Sequence, residues 1–220
     1  MLVKNTKHKN IFLDGEGDNW FLRNKKKLNN SLKDTKIINI VQNIISADEK
    51  KKINFLEVGC SNSSLLLNLK RKFKNIEIFG IDPSKKAINE LKKKGIKSYV
   101  GTADNLQFKE KSIDIIFYGF CLYLCDQRDY KKILSNADRV LKSKGSIIIL
   151  DFYSKKIKKI IYKHDKRISC IKRDFNKIFT TKKFKLIYQS FFNYSDMYET
   201  NKYVEHDLMN ISVLKRGKNA

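Results

Sequence analysis

Short apolar runs and segments with helical spacing alternate along the middle of the chain. Residues 53–58, 76–81, 97–100, 113–118 and 146–150 have the pattern of strands. Helical spacing fills most of the intervals between them. Strands that are separated by helices predict a parallel sheet with right-handed crossovers. Fully apolar runs within the strands indicate a sheet that is covered on both faces.

The two ends of the chain depart from this alternation. Residues 1–12 are polar and rich in Lys, which predicts a frayed or extended start. Helical patterns follow around Trp20 and again from Asp34 onward. Near the other end, residues 184–192 and 208–214 alternate like strands, and they predict an antiparallel pair that closes one edge of the sheet.

Composition narrows the class of protein. The 220 residues include 47 Lys+Arg against 23 Asp+Glu, a formal net charge of +24, and 41% of them are hydrophobic. That apolar content supports a folded core, while the charge suggests a nucleic-acid partner. Only 7 of the basic residues are Arg, however, and a phosphate-binding surface is expected to use more Arg than that. A nucleic-acid partner is therefore the less favoured alternative.

The sequence shows no pattern typical of a targeting signal or a metal-binding motif. The chain has no 18-residue apolar run and no apolar region at its start, so we expect neither a membrane span nor a secretory signal. Its four Cys are sparse and form no Cys-x-x-Cys pair or Cys/His cluster. These features predict a reduced, cytoplasmic protein without a metal site.

Polar residues follow three of the predicted strands, at the edge where open α/β sheets bind ligands. Gly59 ends the first strand and allows a sharp turn close to a ligand. Asp82 ends the second strand, and a carboxylate there can accept both hydroxyls of a ribose. Asp104 follows the third strand and can accept from an adenine amine while Ala103 packs against the ring. Together these residues predict a nucleoside pocket.

The run from Glu57 to Ser63, Glu-Val-Gly-Cys-Ser-Asn-Ser, resembles the first motif of the Class I S-adenosylmethionine-dependent methyltransferases. That motif is an acidic residue, any residue, and then glycines at alternate positions. Gly59 keeps the first glycine, whereas Ser61 and Ser63 replace the others. The resemblance covers residues 50–150. It implies an α/β, Rossmann-like sheet of seven strands, mostly parallel with an antiparallel C-terminal strand, flanked by helices.

The resemblance also implies how the chain is organised. Residues 1–220 would form a single methyltransferase domain. Its parts would be an N-terminal helical lid (1–50), a cofactor-binding core (51–150), a substrate-side cap (151–183) and an antiparallel strand pair (184–220). The segments 16–24 and 150–175 are further similar to bacterial methyltransferases of surface-polysaccharide biosynthesis, which act on capsule and O-antigen sugars.

The cofactor implied by the resemblance is S-adenosyl-L-methionine, with S-adenosyl-L-homocysteine as the product. Glu57 and Gly59 would line the methionine portion, and Arg23 would pair with its carboxylate. Residues after the fourth strand would lie beside the sulfonium and the acceptor. The full set of implied cofactor-binding residues is Trp20, Arg23, Glu57, Gly59, Cys60, Ser61, Asp82, Pro83, Ala103, Asp104, Asn105, Tyr118 and Gly119.

The predicted acceptor is a small polar or anionic molecule. It would be a sugar, a nucleotide-sugar or a phosphorylated or phosphoramidate precursor, methylated on oxygen in capsule or surface-polysaccharide biosynthesis. A hydroxyl acceptor usually benefits from a general base. The candidate catalytic residues are His164, Tyr162 and Tyr118, with His206 as a second candidate base and Asp151 and Tyr153 as helpers.

Three alternatives stay open at this point. An RNA methyltransferase would use the net charge of +24, but the fourth strand ends in Tyr118-Gly-Phe-Cys121 and not in an Asn/Asp-Pro-Pro-aromatic motif. A non-catalytic module could retain the cofactor pocket. An NAD-binding Rossmann domain would need another glycine near Ser64 and a second catalytic domain.

Overall fold

The computed structural model describes residues 7–26, 31–45, 52–181, 183–193 and 208–217. Nine strands and seven α-helices occur within these ranges. The strands are β1 (Ile53–Val58), β2 (Ile76–Asp82), β3 (Lys97–Val100), β4 (Ile113–Gly119), β5 (Leu141–Phe152), β6 (Lys158–Ile161), β7 (Ser169–Lys172), β8 (Phe184–Asn193) and β9 (Leu208–Arg216). The helices are α1 (His8–Ile11), α2 (Gly17–Asn24), α3 (Ser31–Ile45), α4 (Ser64–Lys72), α5 (Lys85–Lys93), α6 (Tyr130–Val140) and α7 (Asn176–Phe179).

Seven strands form one sheet in the order β3-β2-β1-β4-β5-β9-β8. The first five pair in parallel, and β9 pairs antiparallel with both β5 and β8. This arrangement confirms the predicted fold class, including the antiparallel C-terminal strand. The strand order reverses between β1 and β4, and ligands of open α/β sheets bind at such a switch point.

Alternate side chains of the central strands enter two separate apolar cores. Phe55 and Phe117 face the core that α3, α4 and α5 cover. Their chain neighbours Leu56 and Tyr118 face the core that α6 and α7 cover. The period of two along each strand therefore gives both faces of the sheet a helical layer, as the apolar runs predict.

The N-terminal segment (residues 7–26) is ordered, so the expectation of a frayed start is wrong for residues 7–12. Helix α1 continues through a π-helical turn over Phe12–Glu16 into α2, with a kink at Gly15 (φ +145°). Ile11 and Phe12 are buried in a small cluster with Tyr162 and Ile168. Burial of these apolar side chains outweighs the polar character of the surrounding sequence.

Strands β6 and β7 pair as a separate antiparallel hairpin. In the sequence, this hairpin lies between β5 and β8. It occupies the region that we named the substrate-side cap. Strand β7 packs against the turn of 3₁₀-helix at Leu122–Leu124, which follows β4. None of the helices in the described ranges is long and apolar enough to cross a membrane.

Candidate cofactor and acceptor site

A cleft of about 790 Å³, counted out to its open mouth, lies beyond the carboxyl ends of β1 to β4. The N-terminal segment covers one side of it, and the segment between β4 and α6 forms another wall. The lining residues are Lys9, Phe12, Gly17, Trp20, Val58, Gly59, Asp82, Pro83, Gly101, Thr102, Ala103, Asp104, Phe120, Cys121, Leu124, Cys125, Asp126, Asp129 and Ile133.

The loop after β1 turns sharply at the floor of the cleft. Gly59 has φ +73°, and a Cβ added there would lie 2.5 Å from the Cβ of Cys121. Ser61, which replaces the second glycine of the motif, has φ +46°. A serine in this left-handed conformation is strained, and its retention here implies that the loop shape matters. The backbone N–H of Ser61 donates to Asp82 over 2.8 Å.

Asp82 is a buried carboxylate that two backbone amides fix in place. Its Oδ2 accepts from Ser61 and its Oδ1 accepts from Ser84, each over 2.8 Å. Burial raises the pKa of Asp82 to about 6, although both amide bonds oppose that shift. The side chain lines the cleft, and its two hydrogen bonds to backbone amides hold it in position without a ligand.

Asp104 lies at the opposite end of the cleft and is held by a charge. Its carboxylate accepts from the Lys9 ammonium and, over 2.8 Å, from the Thr102 hydroxyl. Lys132 is 3.6 Å away. Burial raises the pKa of Asp104, but the hydrogen bonds from Lys9 and Thr102 outweigh it, so that the net pKa is lowered. Asp104 is therefore ionised at neutral pH.

The cleft is acidic although the protein is strongly basic. Among the described residues that line it, four are carboxylates and Lys9 is the one cation. Arg128 beside Asp126 holds the pKa of that carboxyl at about 2. Asp129 accepts from Lys7 over 2.9 Å. Such a lining favours a cationic ligand over an anionic one.

Comparison with known proteins supports a specific family for the core. Residues 56–149 match the model of the methyltransferase domain family. Together with the fold, this match supports a Class I, S-adenosylmethionine-dependent methyltransferase core over these residues.

Curated relatives of this methyltransferase domain match part of the chain. The demethylmenaquinone methyltransferase of Thermotoga maritima is 35% identical over 121 residues, 54% of this chain and 51% of the relative. A ubiquinone/menaquinone biosynthesis C-methyltransferase of Rickettsia prowazekii is 31% identical over 111 residues, 45% of this chain and 44% of the relative. The chain thus spans about half the length of the curated relatives that it matches.

Solved structures extend the likeness over nearly the whole fold. A Burkholderia thailandensis 1,6-didemethyltoxoflavin-N1-methyltransferase, solved with its substrate and S-adenosylhomocysteine, has a TM-score of 0.71. It is 9% identical, and the match covers 96% of this chain and 91% of that one. A Haloferax volcanii protein solved with the Trm112 methyltransferase activator has a TM-score of 0.68 at 14% identity, covering 91% and 95% of the two chains. At these identities the likeness concerns the fold alone.

The methyltransferase domain brings about half of the predicted cofactor residues to the cleft. Those that line it are Trp20, Gly59, Asp82, Pro83, Ala103 and Asp104. Ser61 acts through its backbone on Asp82. The residues outside the lining are Arg23, Glu57, Cys60, Ser61, Asn105, Tyr118 and Gly119. Of these, Glu57 is buried beside Gly119, and Asn105 is exposed.

Tyr118 lies in the core and not beside the acceptor, which corrects its assignment from the sequence. It is fully buried, with its ring 5.3 Å from that of Phe179 under the sheet. No hydrogen-bond partner for its hydroxyl occurs among the described residues. Burial raises the pKa of Tyr118 well above its usual value, so the hydroxyl stays protonated. Its ring lies beneath the lining, in the core cluster that also contains the lining residues Val58, Ala103 and Ile133.

Arg23 and Tyr162 meet each other instead of the cleft lining. The Arg23 guanidinium donates to the Tyr162 hydroxyl over 2.8 Å and also contacts Glu16. The Tyr162 hydroxyl donates to Glu16 over 2.7 Å. This partly buried cluster joins the N-terminal segment to the hairpin. It leaves Arg23 engaged with Glu16, whereas the sequence assigned it to the methionine carboxylate.

The remaining catalytic candidates also lie outside the lining. His164 is exposed beside the ring of Tyr162, and slight burial together with Arg23 and Lys163 lowers its pKa. Tyr153 stacks edge-on with Phe191. Asp151 is buried and accepts from the backbone of Leu122 and Tyr123, so it shapes the cleft wall indirectly. His206 lies outside the described residues.

Several lining residues escaped the sequence analysis. Lys9 and Phe12 were missed because residues 1–12 look polar. Asp126 and Asp129 were not predicted because they lie beyond the residues that directly follow β4. The run Asp126-Gln-Arg-Asp129 just before α6 carries a signal that could have found them, because acidic residues favour a helix N-terminus at the ligand-binding edge.

Proposed function

We propose that the protein transfers the methyl group of S-adenosylmethionine to a small, largely apolar aromatic acceptor such as a phenol or a quinol. The observation that carries this proposal is the composition of the cleft lining. Phe12, Trp20 and Phe120 contribute aromatic faces, while the charged lining side chains are mostly carboxylates. A planar neutral ring suits such walls, whereas an anionic acceptor would face repulsion from several carboxylates.

The names of the curated relatives support the same acceptor class. One is described as a demethylmenaquinone methyltransferase and another as a ubiquinone/menaquinone biosynthesis C-methyltransferase. Both names refer to quinones, whose reduced forms are quinols with an aromatic ring. Because the matches cover about half of each relative, the acceptor remains part of the proposal.

Two carboxylates would hold the nucleoside of the cofactor. Asp82 is fixed by the amides of Ser61 and Ser84 and would accept the ribose hydroxyls. Asp104, ionised and beside Ala103 in the lining, would accept from the adenine amine. Gly59 leaves the backbone open where the methionine portion would pass. The acidic lining as a whole complements a positively charged cofactor.

Bound S-adenosylmethionine would supply a methyl group carried on a sulfonium. That methyl group would pass to the acceptor by in-line displacement. The chain's own part is alignment of the acceptor and exclusion of water. The N-terminal segment would do both, because Phe12 and Trp20 line the cleft while Lys9 fastens the segment to Asp104. The bond from the methyl group to sulfur would break as its bond to the acceptor carbon or oxygen forms, the proton on that carbon or oxygen would be released to solvent, and S-adenosylhomocysteine would remain.

A second candidate function is oxygen methylation of a sugar, nucleotide-sugar or phosphorylated precursor in surface-polysaccharide biosynthesis. The exposed His164 beside Tyr162 favours it, because an imidazole with a lowered pKa could act as a base at neutral pH. The Lys residues around the hairpin would attract an anionic acceptor. Against it, His164 lies outside the cleft lining.

The deciding experiment supplies S-adenosylmethionine labelled on its methyl group together with three acceptor panels. These are quinols and phenols, then sugars and nucleotide-sugars, then bulk RNA. We expect label to pass to the first panel. Transfer to the second would favour the sugar alternative, and transfer to RNA alone would overturn both small-molecule functions.

Cofactor binding is measured separately by calorimetry. Asp82→Asn should weaken S-adenosylmethionine binding by roughly tenfold to a hundredfold, since it removes charged hydrogen bonds. Glu77→Gln is the matched control, because Glu77 lies near the other end of the same strand and pairs with Lys52 and Lys97. Binding without transfer to any panel would indicate a non-catalytic cofactor-binding module.

A further inference from the structure

Strand β6 of the hairpin is exposed along its whole length. It reads Lys-Lys-Ile-Ile, and Lys155, Lys156 and Ile157 just before it are exposed as well. The exposed fractions of Ile157, Ile160 and Ile161 are 58%, 48% and 67%. Ile160 and Ile161 point to opposite faces of β6, so the exposed apolar side chains follow the free edge of the hairpin and do not cover one face.

The hairpin is anchored, so the exposed isoleucines belong to a defined surface. Ile168 and Ile171 of the same hairpin are almost completely buried. Tyr162 is tied to Glu16 and Arg23, and the N–H of Ser169 donates to the His8 ring over 3.3 Å. The turn of the hairpin and strand β7 therefore pack against the rest of the protein, while β6, the outer strand, keeps its isoleucines exposed on both of its faces.

Lysines surround these isoleucines. Their positions are Lys155, Lys156, Lys158, Lys159, Lys163 and Lys166. Aliphatic side chains among Lys residues match the boundary of an anionic bilayer, where apolar groups enter the headgroup region and ammonium groups meet lipid phosphates. The long Lys stems add apolar contact while their charges stay at the interface.

We propose that this basic hairpin docks the protein on an anionic membrane surface. The occupant is a lipid surface because Arg167, the Arg within residues 155–172, is already paired with Asp165, and because Tyr162 is buried. Exposed isoleucines would contribute little to binding nucleic acid, because aliphatic side chains make no favourable contact with phosphates. The proposal does not depend on which acceptor is methylated.

Docking there would place the cleft next to the bilayer. Tyr162 packs with Phe12, their ring centroids 6.4 Å apart, and Phe12 lines the cleft. An apolar acceptor dissolved in the membrane would then need to travel only across the N-terminal segment to reach the cofactor. The geometry thus links the exposed hairpin to the open mouth of the site.

The test is flotation of the full chain with vesicles of phosphatidylcholine alone or mixed with phosphatidylglycerol. We expect binding to the anionic vesicles only, weakened by added salt. The triple variant Ile157→Ser, Ile160→Ser, Ile161→Ser should lower the partition coefficient by about tenfold or more. Its control is Ile187→Ser, since Ile187 is 59% exposed on strand β8.

A second variant keeps the test decisive if the first is poorly folded. Replacing Lys155, Lys156, Lys158 and Lys159 by Gln should abolish the salt-sensitive part of binding, while the same change at Lys92, Lys93 and Lys94 on α5 should not. Equal binding to neutral vesicles, unchanged binding of the hairpin variants, or no vesicle binding at low salt would overturn the proposal. So would capture of bulk RNA through the same lysines with no binding to lipid.

Discussion

The Lys9 ammonium contacts the Asp104 carboxylate and thereby fastens the N-terminal segment to the loop after β3. The side chain of Lys9 is 22% exposed and that of Asp104 is 3% exposed. The pair therefore closes one end of the cleft across 95 residues of chain. The hydrogen bond from Lys9 also lowers the pKa of Asp104, the carboxylate that we assign to the adenine amine.

Removing the Lys9 charge should destabilise the protein. Lys9→Met leaves a buried carboxylate with only Thr102 and the more distant Lys132, so we expect a loss of about 1–3 kcal/mol in the free energy of unfolding. Urea denaturation measures it. Lys7→Met is the control, because the side chain of Lys7 is 43% exposed in its pair with Asp129 and should contribute less than about 1 kcal/mol. Equal losses in the two variants would contradict a special role for the Lys9 pair.

The sheet and the three strand ends could be predicted because each depends on local pattern. Apolar runs identify strands; Asp82 ends β2, and Asp104 lies in the loop after β3. The topology then brings consecutive parallel strand ends to one edge. The order of strands and helices in the sequence is therefore sufficient to predict that Asp82 and Asp104 lie at the same edge of the sheet.

The rest of the site depends on long-range packing that no local pattern encodes. Lys9 reaches the cleft because Ile11 and Phe12 are buried against the hairpin. Tyr118 is buried in the core beneath the cleft, although its position next to Gly119 suggested the cleft itself. The sequence assigns Arg23 to the methionine carboxylate, and its contacts with Glu16 and Tyr162 are visible only in the fold.

Stability should depend on pH through Asp151. Burial raises the pKa of Asp151 from 3.8 to about 7, against the hydrogen bonds from the backbone of Phe152, Tyr123 and Leu122. Between these two values the folded protein holds a proton that the unfolded chain has released. The contribution of this group to stability is therefore full below about pH 4 and is lost as the pH rises toward 7, by at most about 4 kcal/mol.

Asp151→Asn removes this titration. Urea unfolding at a series of pH values should show a difference between wild type and variant that changes steadily from pH 4 to pH 7. Glu77→Gln is a suitable reference, because Lys97 and Lys52 lower the pKa of Glu77 and its effect should have the opposite sign. Parallel curves for wild type and Asp151→Asn would exclude a raised pKa at Asp151.

Gly59→Ala tests the loop after β1. The new Cβ would lie 2.5 Å from the Cβ of Cys121 on a backbone with φ +73°, so the loop must shift. We expect a loss of about 1–3 kcal/mol in stability and weaker cofactor binding, measured by thermal unfolding and calorimetry. Gly217→Ala is the control, because the nearest atom to its added Cβ is 3.9 Å away. Unchanged cofactor binding in Gly59→Ala would remove this loop from the site.

Tyr118→Phe separates the structural assignment of that residue from the one made on sequence. The Tyr118 hydroxyl is buried without a partner among the described residues, so its removal should leave stability unchanged or raise it slightly. Methyl transfer should also be unaffected, since the ring packs against Phe179 and not in the cleft. Tyr162→Phe is the informative comparison, because it breaks the bonds of that hydroxyl to Glu16 and Arg23 and should cost about 1–2 kcal/mol. A large fall in kcat for Tyr118→Phe at unchanged stability would contradict the core assignment and return Tyr118 to the reacting groups.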